Sequence, residues 1–189
     1  MFALIIFTLM IFSVLNGIQD VSSEQPERVT GGYDIKASIS PELPIKGDIK
    51  DSLNIDDFSV VAASSNIPIE VKELAGESET YKSSKLVSLE NDFIESTKWR
   101  MAHFDPKYGS TDREIWNAVL NNPDLVIANA TIIPSGDPFG PPDRSFKTSY
   151  ITPGDPKEMK SFDVQMRKRR SSSEPQNLTV IGVIERLAS

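Results

Sequence analysis

Apolar residues recur at every second position in several short runs of this chain. Tyr33, Ile35, Ala37 and Ile39 share one parity in YDIKASI, and Ile67, Ile69 and Val71 share one in IPIEVKEL. Alternation puts successive side chains on opposite faces of an extended backbone, so each run predicts a half-buried strand. PIKGDIK at 44–50 and FSVVAAS at 58–64 have the same character, with Pro41, Pro44, Gly47 and Pro68 as punctuation. GESETYKSSK, 76–85, is polar and predicts a loop or hairpin tip. KLVSLENDFI, 85–94, fits strand or helix, because a short apolar run does not choose between them. In TKWRMAHF, 97–104, Trp99, Met101 and His103 alternate with Lys98, Arg100 and Ala102, which predicts a strand.

The period then changes. Ile115, Trp116, Val119 and Leu120 form a stripe at helical spacing. Thr111 stands where an N-cap belongs, Glu114 follows at the capping-box position, and Asn121-Asn122-Pro123 stops the pattern. The spacing predicts a helix over 111–121 lying on a sheet. DLVIANATIIP, 124–134, reads as a strand buried on both faces, KSFDVQM, 160–166, as an alternating strand, and NLTVIGVIERL, 177–187, as the most apolar strand of all. Six of the 13 prolines lie between Pro134 and Pro156, so that stretch is a loop, with SFKTSYI, 145–151, as its one candidate edge strand. The fold class expected is mainly β or α+β: an antiparallel β-sandwich, or a sheet with one helix on a face.

The amino-terminal run departs from this pattern. Phe2–Leu15 is a predominantly apolar run but shorter than the ~20 residues a membrane-spanning helix needs. Gly17, Val21 and Ser23 follow, and small side chains suit signal peptidase, so residues 1–23 predict a secretory signal cut between Ser23 and Glu24. A cut after Gly17 and a short uncleaved anchor are the alternatives. After signal removal no transmembrane segment is expected, and residues 24–189 are expected to form a single β-rich domain with a Pro-rich loop at 134–156 and a basic loop at 167–176.

Composition narrows the chemistry. A formal net charge of −7 argues against nucleic acid as a partner, because phosphate binding needs concentrated Lys and Arg. Cysteine is absent, which excludes a disulfide framework, a thiolate nucleophile and a Cys-based metal site. A chain this long can bury a core without staples. His103 is the only histidine. A Ser-His-Asp triad would have to use it, and the adjacent His103-Phe104-Asp105 does not make one, since triads draw on separate segments. No nucleophile elbow, phosphate-binding loop, dinucleotide fingerprint or metal-ligand spacing is present. The paired carboxylates, Asp56-Asp57 and Asp112 with Glu114, read as a turn and as the charged start of the helix. The expectation is a protein that is not an enzyme, with no cofactor and no catalytic or metal-binding residues.

Two features belong to the secretory route. Asn129-Ala130-Thr131 and Asn177-Leu178-Thr179 are N-glycosylation sequons. Asn177 follows a polar loop, whereas Asn129 shares a strand face with Leu125, Ile127 and Ile133. Arg167-Lys168-Arg169-Arg170, followed by Ser171, has the form that furin-type convertases cut, because their acidic subsites pair with each basic side chain of an extended, accessible segment. A solvated hairpin tip whose charges deter sheet pairing, and a polyanion-binding patch, are the competing readings. A cut would leave Ser171–Ser189 held in the sheet by its LTVIGVI run.

GGYDIKASISPELPIKGDI resembles a stretch of the takeout and juvenile-hormone-binding lipid carriers of insects, through Tyr33, Leu43, Pro44, Ile45 and Gly47. It covers about 20 residues of the chain. The family's amino-terminal cysteine pair is absent and the rest of the chain does not follow its pattern. The resemblance implies a carrier of a small apolar ligand. The function expected is therefore a secreted, N-glycosylated protein that binds an extracellular protein, with the apolar-ligand carrier and a precursor cleaved after Arg170 as alternatives.

Overall fold

The computed structural model describes residues 30–38, 57–76, 80–134, 144–152, 157–171 and 174–185. The signal segment with Ser23 and Glu24, the 44–50 run, Asp56, Leu43 to Gly47 and much of the Pro-rich loop lie outside the described residues. The described residues fall into two compact units. In the smaller, residues 30–38 pack with Thr97–Trp99: Lys98 N–H donates to Gly31 O at 3.0 Å, and Gly31 and Gly32 take left-handed φ of 76° and 96°. Residues 33–38 are not a strand, and Ile35 is 69% exposed. Their alternation has no partner strand to pair with among the described residues, and period two makes a strand only where a neighbour completes the ladder.

The larger unit is an open six-stranded sheet with one ten-residue helix, the sheet-plus-helix form of the expected class. Its elements are β1 (Ser64–Glu73), β2 (Lys82–Leu89), the one-and-a-half-turn α1 (Asn91–Ser96), β3 (Met101–Phe104), α2 (Asp112–Asn121), β4 (Leu125–Asn129) with a 3-10 turn at Ala130–Ile132, β5 (Phe162–Lys168) and β6 (Gln176–Ile184). The order across the sheet is β2-β1-β5-β6-β3, with β4 also paired to β6. FSVVAAS contributes only Ser64 to β1; Phe58 and Val60 are half exposed on an irregular lead-in. The polar 76–85 stretch supplies the start of β2, and KLVSLENDFI divides into the end of β2 and most of α1. Of TKWRMAHF only Met101–Phe104 pairs.

β6 organises the rest. Gln176–Val180 pair antiparallel with β5, and Gly182–Ile184 pair antiparallel with β3. Thr179–Ile184 pair parallel with β4. Gly182 and Val183 have partners in both β3 and β4, so those strands lie on opposite edges of β6 and α2 carries the chain across its face. Gly182 lies under that crossing. A Cβ there would stand 3.2 Å from Ile115 Cγ2 and 3.4 Å from Met101 Sδ. β6 also skips a residue, since Val126 pairs with Val180 but Ile127 with Gly182. This bulge at Ile181 reverses the parity of the strand. Val180 and Val183 thereby face the same core, which also holds Ile69, Val71, Ile132, Phe146, Ile151, Met159, Phe162 and Val164.

β4 is shorter than the expected 124–134 strand, and of its five residues only Leu125 is fully buried. Asn129 ends it by accepting from Thr131 N–H at 2.9 Å, which turns the backbone into the 3-10 segment. α2 starts as expected: Thr111 Oγ1 accepts from Glu114 N–H at 3.3 Å, and Glu114 Oε2 accepts from Ser110 N–H at 2.6 Å and Ser110 Oγ at 2.9 Å. Those Ser110 donors hold the exposed Glu114 carboxyl below its ordinary pKa. Arg113, also on α2, donates to the carbonyls of Ile94 (2.7 Å) and Glu95, satisfying acceptors that the end of α1 leaves open. The returning Pro-rich segment is fastened by Glu73, whose carboxylate accepts from Thr148 Oγ1 at 2.6 Å and from Ser149 N–H and Oγ, each at 2.7 Å.

Asp105 joins three elements. Its N–H donates to the carbonyl of the bulged Ile181 at 2.9 Å, and its carboxylate accepts from Lys107 N–H at 3.0 Å and Ser161 N–H at 2.8 Å. Burial pulls this carboxyl up, but the N–H groups of Ser161 and Lys107, the Ser161 hydroxyl and the Lys107 charge outweigh it and leave the pKa lowered.

Two measurements check this account. Gly182→Val should lower unfolding free energy by roughly 1–3 kcal/mol in urea titrations, because the added methyls meet Ile115 and Met101 in a packed layer. Asp105→Asn should lower the melting temperature at pH 7, since the amide aims an N–H at a backbone donor. A carboxyl with a lowered folded pKa contributes stability above its unfolded value of about 3.9 and loses it as pH falls through the folded value. The gap between wild type and variant should therefore narrow from pH 4 towards pH 2.

Candidate functional site

One face of the sheet is apolar across β1, β5 and β6 and carries the core. On the opposite face, side chains of the same strands form a polar surface built from cross-strand pairs. Asp163 opposes Thr179, Gln165 opposes Asn177, and Glu70 opposes Arg167. Each pair is bonded: Thr179 Oγ1 donates to Asp163 Oδ1 at 2.7 Å, Gln165 Nε2 to Asn177 Oδ1 at 3.2 Å, and Arg167 Nε to Glu70 Oε2 at 2.7 Å. Directly opposed residues on one face are the closest side-chain neighbours that two strands offer.

Tyr81, just before β2, ties the pairs together. Its hydroxyl donates to Gln165 Oε1 at 2.5 Å, the Arg167 guanidinium lies 4.0 Å from its ring centroid, and Lys72 Nζ lies 5.1 Å from it. Arg167 Nη2 is also 2.7 Å from Glu70 Oε2. The guanidinium is thus held between a carboxylate and an aromatic face, an arrangement that suits its planar fork. Glu70, Tyr81, Gln165, Arg167 and Asn177 form one connected cluster spanning β1, β5 and β6 and the entry to β2.

The basic run is divided by this arrangement. Arg167 and Lys168 are the last residues of β5, opposite Glu70 and Ile69 of β1, so the loop begins two residues later than position 167. Arg169 N–H donates to Pro68 O at 3.3 Å, and Ser171 N–H to Lys168 O at 3.3 Å. Arg170 takes a left-handed φ of 58° at the turn. Pro68 accounts for where the ladder stops. Residues 68, 70 and 72 of β1 present backbone groups to β5, and a proline at 68 has no N–H to return. Arg169, Arg170 and Ser171 are exposed.

The sequons lie in different settings. Asn177 is exposed on β6 with its Oδ1 held by Gln165. Asn129 is half buried at the end of β4 and engaged with Thr131 N–H. His103 sits half buried on β3, opposite Val183. Asp112 faces Lys157 Nζ at 3.6 Å, and Asp57 is exposed. Among the described residues no group of three or more His, Asp or Glu side chains is placed to hold a metal, and no helix is long and apolar enough to cross a membrane. A separate open groove of about 590 Å3 runs between Phe58–Val61 and α1, lined also by Asp92, Glu95 and Ser96.

Tyr81, Glu70 and Gln165 were not singled out by the sequence reading. The signal that points to them is the pairing of IPIEVKEL with YKSSKLVSL as a hairpin, which puts Tyr81 beside Lys72. Comparison of the chain with protein families, curated proteins and solved structures gives no match.

The cluster can be weighed by a double-mutant cycle on Arg167→Ala and Glu70→Ala. Their side chains are 42% and 27% exposed, so the coupling energy should be about 0.2–1 kcal/mol and should shrink in high salt. Arg167→Lys should not restore it, since an ammonium cannot keep both the ring stack and the two-nitrogen contact.

Proposed function

We propose that this is a secreted, N-glycosylated protein without enzymatic activity, which binds an extracellular protein through the polar face of β1 and β5. The observation that carries the reading is the Tyr81–Arg167–Glu70 cluster. Tyr and Arg, with Trp, are the side chains enriched among residues that dominate protein interfaces, and here both are fixed in place before any partner arrives. Rigid aromatic and guanidinium groups lose little rotamer freedom on binding. The neighbouring Gln165 amide supplies further hydrogen-bond capacity.

Secretion and glycosylation rest on the apolar run Phe2–Leu15 and on the sequons, of which Asn177 has the better exposure. Among the described residues, a candidate for the carrier reading is the groove beside Phe58 and Val60. That groove is open and bordered by Asp92 and Glu95, whereas apolar ligands are held in enclosed, mostly apolar pockets.

Expression of the full chain in cultured animal cells tests the reading. Intact-mass analysis of the medium should find a chain beginning at Glu24, carrying glycan that an endoglycosidase removes and that Asn177→Gln reduces. Surface cross-linking of the tagged protein to cells or matrix should yield a partner whose capture falls at least tenfold in Tyr81→Ala. Retention of the chain inside cells, or capture unaffected by Tyr81→Ala, would overturn the respective half of the proposal.

A further inference from the structure

We infer that the Arg167–Arg170 cleavage site is closed in the folded protein by its own sheet. A basic-specific convertase can then cut only when the end of β5 peels away from β1. The inference rests on the reading of the chain as secreted, since that is where such a protease would meet it.

Proteases of this kind grip the residues before the scissile bond as an extended strand and pair each basic side chain with acidic subsites. The fold occupies that segment in four ways. The Arg167 guanidinium, the most distant of the four basic groups from the scissile bond, is held by Glu70 Oε2 through two nitrogens at 2.7 Å and stacked on Tyr81 at 4.0 Å. The backbones of Arg167 and Lys168 are paired in the β1–β5 ladder. Arg169 N–H is bound to Pro68 O, and Ser171 N–H folds back on Lys168 O. Arg170, the residue whose carbonyl would be attacked, has φ of 58°, which is incompatible with an extended strand.

Exposure of Arg169, Arg170 and Ser171 is therefore not sufficient for cutting. Local opening must free Arg167, break the two turn hydrogen bonds and reset Arg170 together. Such sub-global openings are rare compared with the fraying of a free loop, and proteolysis of the opened state follows its population. Once open, hydrolysis is ordinary: water adds across the Arg170–Ser171 amide, leaving a carboxylate on Arg170 and an amine on Ser171. β6 would stay in place, because it is paired with β5, β3 and β4 and is buried from Val180 to Ile184.

The test uses purified full-length protein and recombinant furin at neutral pH. Wild type should be cut at least tenfold more slowly than a free peptide spanning residues 164–175. Glu70→Gln, nearly isosteric with the native residue, and Tyr81→Ala should each be cut faster, with the double variant about tenfold faster than wild type, matching the loss of one ion pair and one cation–π contact. Arg170→Ala should abolish the product, which establishes the bond cut. Circular dichroism and the urea midpoint identify a variant that has simply unfolded, and for such a variant slowed exchange of the Arg169 and Ser171 amides in wild type gives the independent readout. Wild-type cleavage at the peptide's rate, or folded variants no faster than wild type, would overturn the inference. These rates do not depend on secretion, so they can fail while the functional reading stands, and the reverse also holds.

Discussion

The bulge at Ile181 is the constraint on which the rest of the sheet depends. A strand of strict period two would turn either Val180 or Val183 away from the core, and with it half of its own burial. One extra residue lets both face inward and lets β6 serve two different surroundings: β5 beside its first half, then β3 and β4 on either side of its second. The carbonyl displaced by the bulge is not left unsatisfied, because Asp105 N–H takes it. Asp105 then fixes Ser161, the residue before β5, so the strand that enters next is placed by the same group. Bulge, crossing helix and hairpin are in this sense one decision.

The polar face follows from the same register. Because β5 is aligned with β6 on one edge and β1 on the other, Asp163 meets Thr179, Arg167 meets Glu70, and Gln165 meets Asn177 on one side and Lys72 on the other. Aligned strands turn unrelated polar residues, far apart in the chain, into a continuous hydrogen-bonded surface. That is how Glu70, Tyr81 and Arg167 come together across separations of up to 97 positions.

Much of this architecture was legible in the sequence. The helix was read to within a residue, because its cap, its stripe and its terminating Asn-Pro all agree. The strands at 67–74, 160–166 and 177–187 were read because alternation coincided with real neighbours. Residues 33–38 and 58–63 misled for the complementary reason: the same alternation appears without pairing. The parallel placement of β4 and the bulge at Ile181 left no local trace, since both concern how one strand is set against another. The cluster was half visible. Arg167 and Asn177 drew attention as motifs, but Glu70 and Tyr81 matter only through register, which no single window of sequence contains. The basic run read as a loop because charge predicts solvent contact, and charged side chains on the water-facing side of a strand satisfy that requirement equally well.

Pro68 has a consequence for how this molecule tolerates change. The β5–β6 connection is bounded by a proline on a third strand, where the β1–β5 ladder stops, and the alignment of β5 is fixed independently along both of its edges. The length of the segment after Arg170 is thus decoupled from the alignment of the strands it joins. Residues can be added or removed there without moving Val164, Met166 or Leu178 relative to the core. The frame can thus keep its register while the length of the tip changes, which makes the tip a site for grafting in the laboratory.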